Sequence, residues 1–166
     1  MSISIQNKLV SFVLAWPLAS LSAAPTTIAA SYETIAATFH AEGAEIYECK
    51  ATSEGKLAWQ PREPVATLLS DGKTVGRHYS GPNWEHVDGS ALQARVIHTA
   101  PGPTINDLPL QTYQVMLRLG FGTLSGVTII RRINAVGGVA QGPCTAANAF
   151  LSVPYRADYV FLRPAD

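Results

Sequence analysis

The chain has 166 residues, twelve basic and twelve acidic side chains, no net charge, and a charged fraction of only 14%. That balance excludes the basic footprint of a nucleic-acid binder and the polybasic run that holds anionic lipid. Thirteen glycines and eleven prolines favour turns over long helices, and the length suits one domain.

Lys8 precedes an apolar run, Leu9 to Leu21, broken by Ser11, Pro17 and Ser20 and followed by Ser22, Ala23 and Ala24. A basic start, a short apolar stretch and a small-residue site form the pattern of a secretory signal peptide. The run is shorter than the ~20 apolar residues that cross a bilayer, and Pro17 interrupts it. Residues 1–24 are therefore assigned as a signal peptide, with cleavage between 22 and 30, and 25–166 as a single β-rich domain. The expected location is the periplasm or the extracellular medium, with no stable membrane span after cleavage. The only two cysteines, Cys49 and Cys144, both lie in the exported part. An even pair in an oxidising compartment predicts a disulfide, since neither belongs to a zinc-site or Cys-x-x-Cys pattern.

Along the mature chain the dominant signal is alternation. Ser31 to Phe39 fits a strand or an Ala-rich helix. Ala41-Glu42-Gly43 predicts a turn, after which Tyr47, Cys49 and Ala51 share one face of a strand. Ser53 to Lys56 predicts a hairpin into a strand around Trp59, which Pro61 and Pro64 break. Asp71-Gly72 is the strongest hairpin signal, and Gly81-Pro82 and Asp88-Gly89 mark two further turns. Leu92, Ala94, Val96 and His98 predict one face of the next strand, placing His98 in the core or at an edge. Tyr113 to Leu119 alternates, Val127 to Val136 is β-branched, and Tyr155 to Phe161 alternates again; Thr145 to Phe150 allows a helical turn. Arg131 and Arg132 fall on opposite faces, so one is expected to be buried against Glu85, Asp158 or a carbonyl. The pattern predicts an all-β fold, an antiparallel sandwich or barrel of about eight to ten strands with at most short helical turns.

Several segments together resemble a known family. Ala41-Glu42-Gly43-Ala44-Glu45-Ile46-Tyr47 with Cys49 is similar to the opening motif of the secreted family catalogued as domain of unknown function 3455. Gly76, His78, Tyr79, Gly81, Pro82, Trp84 and Glu85 match its G-x-H-Y-x-G-P-x-W-E segment, and Asp88-Gly89-Ser90 follows. Arg132-Ile133-Asn134, Gly137-Gly138 and Cys144 resemble its later block, and Pro154 to Phe161 its closing strand. Ala135 departs from the threonine common there, and Arg163-Pro164 extends past the usual end. The resemblance implies an exported, β-rich bacterial or fungal domain and brings no established reaction, cofactor or catalytic residue.

The richest chemistry lies between Thr74 and Ser90. Polar and aromatic residues on a loop held by a rigid scaffold are where binding concentrates, which makes His78, Tyr79, Trp84, Glu85 and Asp88 the binding candidates. Flat rings beside directional hydrogen-bonding groups suit sugars and small amphipathic molecules. The competing assignment puts Trp84 in the core and leaves the two Gly turns to shape the chain. His78, Glu85 and His86 supply a metal's ligand types without any metal-site spacing. A hydrolytic set drawn from His78 or His98, Asp88 or Asp107, and Ser80 or Ser90 lacks a nucleophile-elbow motif. The expectation is a non-catalytic, cofactor-free binder of a small molecule, glycan or envelope component. The alternatives are a metal-dependent envelope hydrolase and a structural or cell-surface interaction protein.

Overall fold

The computed structural model of the protein describes residues 33–165; the assigned signal peptide lies outside the described residues. Eight strands follow one another as antiparallel neighbours: β1 (Glu33–Ala51), β2 (Leu57–Ser70), β3 (Lys73–Tyr79), β4 (Asn83–His86), β5 (Ala91–Ala100), β6 (Leu110–Leu119), β7 (Ile129–Gly137) and β8 (Phe150–Pro164). β8 pairs back onto β1 along most of its length, from Glu33 opposite Pro164 to Glu48 opposite Phe150, and closes the sheet into a barrel. Between a sandwich and a barrel, the chain adopts the up-and-down barrel, in which every strand has a neighbour on both sides over at least part of its length. No helix is present among the described residues, so Thr145 to Phe150 does not form the helical turn its composition allowed.

Two expected breaks are absent, each for a physical reason. β1 runs straight through Ala41-Glu42-Gly43, where Gly43 lies so close to β2 that a Cβ there would collide with the Val65 carbonyl. The glycine serves close strand approach rather than a turn. β2 likewise runs through Pro61 and Pro64. Its pairing with β3 begins only at Ala66, so the proline-containing part bonds to β1 alone and tolerates missing N–H donors. Bulges account for a third difference. The register of β5 against β6 shifts between Val96 and His98, which turns His98 outward into solvent.

Inward positions are apolar and aromatic: Phe39, Leu68, Trp84, Leu92, Tyr113, Ile130, Tyr159 and Phe161 are all buried. Outward positions on the same strands carry Glu42, Lys50, Arg77, Arg95 and Arg131, all exposed. The outer wall is mixed, since Ile35, Val65, Met116, Leu119 and Phe150 are exposed on the same sheet.

The two ends of the barrel differ. The up-and-down order gathers the β2–β3, β4–β5 and β6–β7 connections at one end and the other connections at the opposite end. At the first end the β6–β7 connection folds inward and buries Leu124 and Val127 completely, plugging the barrel. Asp88 fixes that plug: one carboxylate oxygen accepts from the Ser90 backbone and hydroxyl, the other from the Thr123 backbone and hydroxyl at 2.7 and 2.8 Å. These donors hold its carboxyl well below the usual carboxylate range. Among the described residues the opposite end has no such plug. A disulfide joins Cys49 at the end of β1 to Cys144 in the β7–β8 connection, with Cα atoms 5.7 Å apart, as the sequence predicted.

Candidate functional site

At the unplugged end the barrel opens into a cup of about 310 Å³. Its apolar wall comes from Val96, Leu108 and Val139 and from the rings of Pro61, Pro64, Pro82 and Pro109, which bring rigid carbon surface without backbone donors. The β5–β6 connection is laced to the end of β7, with Gly137 N–H donating to Asp107 Oδ1 at 2.6 Å and Leu108 N–H to the Gly137 carbonyl at 2.8 Å. Tyr47 donates its hydroxyl to the Gly138 carbonyl at 2.7 Å and ties β1 into the same wall.

Polar groups stand deeper. Arg132, on β7, is 5% exposed. Its Nε and Nη2 donate to the Pro109 carbonyl at 3.0 and 2.9 Å, and Nη2 also donates to Gln111 Oε1 at 2.7 Å. The same Gln111 oxygen accepts from the Tyr113 hydroxyl at 2.6 Å. A carbonyl thus meets the need of the buried arginine, while Arg131 faces out and pairs with Glu33. Glu85 and Asp158 are engaged elsewhere, Glu85 with Arg77 and Asp158 with His40 and Asn134. The Tyr155 and Tyr159 hydroxyls lie near the guanidinium, buried and short of hydrogen-bond geometry with any group.

Glu45, on β1, is the second buried charge of the cup, 8% exposed. Burial pushes its carboxyl from the ordinary 4.5 up to about 7; the Arg132 charge draws it down again and Glu63 pushes it further up. Tyr47, Tyr113 and Tyr155 are the other ionisable groups near it, and burial holds all three above their ordinary range. Because the folded state binds the Glu45 proton more tightly than the unfolded chain, stability falls as pH rises from the unfolded value of 4.5 through about 7. Glu45→Gln removes that dependence. Relative to the parent it is expected to gain on the order of 2 kcal/mol above pH ~8 and nothing below pH ~4, allowing for screening at the open mouth. Urea denaturation at the two pH values measures the difference; an equal change at both would remove Glu45 from the titration.

The sequence-derived candidates disperse over the barrel. His78 points inward beneath the cup and lines its floor, 2% exposed, with Nδ1 2.8 Å from the Asn83 carbonyl. Burial lowers its pKa to about 3, so the ring stays neutral and its other nitrogen is an acceptor. Trp84 stacks directly on that imidazole, with centroids 4.4 Å apart, and is fully buried in the barrel. Tyr79 lies under the Arg77 guanidinium on the outside, as does the Arg77–Glu85 pair. Asp88 holds the plug at the far end. His86 stacks on Phe39, so His78, Glu85 and His86 do not converge, and among the described residues no three His, Cys, Asp or Glu side chains are grouped to hold a metal ion. Ser90 is buried beside Asp88, Ser80 is exposed in the β3–β4 turn, and Asp107 accepts from Thr104 and Gly137, leaving no hydrolytic set assembled among these residues. Glu45, Gln111 and Tyr113 were not singled out from the sequence. The usable signal was parity: Glu45 shares its face with Tyr47 and Cys49, so a carboxylate falls among inward side chains.

Fold and cup together define a closed up-and-down β-barrel, plugged at one end and carrying at the other an apolar-walled pocket with a few buried polar groups. The family model described as protein of unknown function (DUF3455) matches residues 29–163, and the chain belongs to that family. No curated protein and no solved structure matches the chain.

Proposed function

We propose that the protein is an exported barrel that binds a small organic molecule, without catalysis, in the cup at its open end. The observation that carries this reading is a cavity of about 310 Å³, walled by carbon and floored by buried Glu45, His78 and Arg132. Eight strands enclose an interior that side chains just fill or that holds one small ligand, and here filling stops short of the mouth. Apolar walls with a few converging polar groups are the usual composition of ligand sites, and this volume lies at the lower end of their ~300–1,000 Å³ range. A metabolite or a single sugar unit of an envelope component suits that size. The Cys49–Cys144 disulfide supports export, since such bonds persist in oxidising compartments.

A thermal-shift screen of metabolites and monosaccharides tests the reading, with Val96→Trp as the control. Val96 lines the cup at its rim and is 41% exposed, so an indole there obstructs the mouth without entering the packed core. Ligands that stabilise the parent are expected to lose at least about tenfold in affinity for the variant, whose own melting temperature stays near the parent's. Hits that bind Val96→Trp unchanged would move the site away from the cup.

A further inference from the structure

An acidic and a basic side chain are buried in the cup, and neither satisfies the other. Glu45 on β1 and Arg132 on β7 are separated by β8, and they form no ion pair. Arg132 commits Nε and Nη2 to Pro109 and Gln111; Nη1 makes no hydrogen bond of normal geometry among the described residues, with the buried Tyr159 hydroxyl beside the guanidinium. Glu45 accepts no hydrogen bond from any described residue, although it is more than nine-tenths buried and lines the cavity. A buried carboxyl without a protein partner is costly, and one that lines a cavity is open to completion by a group from outside the chain.

We propose that the cup takes a small zwitterion of the α-amino-acid type, with its ammonium on Glu45 and its carboxylate on Arg132 Nη1. This rests on the binding role proposed for the cup. A purely cationic ligand would satisfy Glu45 but place its charge near Arg132 and near Arg62 at the rim. A purely anionic one would satisfy Arg132 beside an unrelieved Glu45. A ligand carrying both signs completes both groups in their charged forms, and charge-assisted hydrogen bonds are about twice as strong as those a neutral polyol offers. The apolar side chain of the ligand then rests against Leu108, Val139 and the proline rings.

Calorimetric titration with three matched probes separates the possibilities: leucine, 4-methylpentanoate, which lacks the amine, and 3-methylbutylamine, which lacks the carboxylate. Leucine is expected to bind, and each single-charge probe to bind at least about tenfold more weakly. Glu45→Gln is expected to weaken leucine by about tenfold or more while leaving 4-methylpentanoate unchanged or improved. Equal binding of 4-methylpentanoate and leucine, with no effect of Glu45→Gln, would overturn the zwitterion while leaving the cup a binding site. Absence of binding by all three at millimolar concentration would also overturn it, and the Val96→Trp screen then judges the cup by itself.

Discussion

Replacing Trp84 with alanine is expected to lower the stability of the barrel by about 3–5 kcal/mol. The indole is fully buried on the shortest strand and is the hub of an aromatic cluster. His78 stacks on it at 4.4 Å, and Tyr113, Tyr159 and Phe161 meet it edge-on at 5.1, 5.5 and 6.4 Å. Truncation removes the transfer energy of the indole and the aromatic contacts, and leaves a cavity between strands that close on each other and cannot collapse freely. Trp84→Phe keeps much of the volume and is expected to cost clearly less. Equilibrium urea denaturation measures both. Should Trp84→Ala fold with under about 1 kcal/mol lost while ligand binding vanishes, the ring would be a ligand contact rather than a core hub.

The difference between those outcomes explains why the stretch from Thr74 to Ser90 was easy to find and hard to interpret. Its composition marks it, but β3, β4 and the turn beyond them carry its side chains to three environments. His78 and Trp84 share inward parity and meet across the β3–β4 pair, whereas Arg77 and Glu85 meet on the outside of the same pair. Asp88 follows the end of β4 and so arrives at the plugged end, away from the cup. Alternation assigns a face; it does not assign a depth along the barrel axis, and depth decides whether an inward residue is core or cup. Glu45 and Arg132 show the same limit from the other side. Each is a charge on an inward-facing position, but the closure that brings β1 and β7 to either side of β8 depends on pairing between the first and last strands. That register is set by long-range contacts that local pattern does not carry.

Strand number and class were legible from short alternating runs separated by Gly, Pro and Asp-Gly turn signals. The errors lay where a local rule met a barrel-specific one. Gly43 and the two prolines of β2 read as breaks because these residues usually are; in this fold close approach and a partly one-sided strand give them other roles. His98 reads as inward until a bulge shifts the count by one.

Removing the disulfide by a double Cys49→Ala, Cys144→Ala substitution is expected to cost about 2–5 kcal/mol, roughly 10 °C in melting temperature for a domain of this size. The cysteines are 95 positions apart, so the bond closes a loop containing most of the barrel. In the chain-entropy account a cross-link over ~100 residues restricts the unfolded state by up to ~4.7 kcal/mol. The native side contributes as well. Cys49 N–H donates to the Ala149 carbonyl and Asn148 N–H donates to the Cys49 carbonyl, so the bond sits where the long β7–β8 connection is pinned to β1. The same connection supplies Val139 to the cup wall and the Gly138 carbonyl that holds Tyr47. Loss of the bond is therefore expected to weaken ligand binding at temperatures where the barrel remains folded, a consequence that unfolded-state entropy alone does not produce. Denaturation with and without reductant measures the first effect, and titration of the double variant well below its melting temperature measures the second. Unchanged affinity there would confine the disulfide to a global cross-link, and an intact mass that does not rise by two protons on reduction of the denatured protein would show that the bond is not formed.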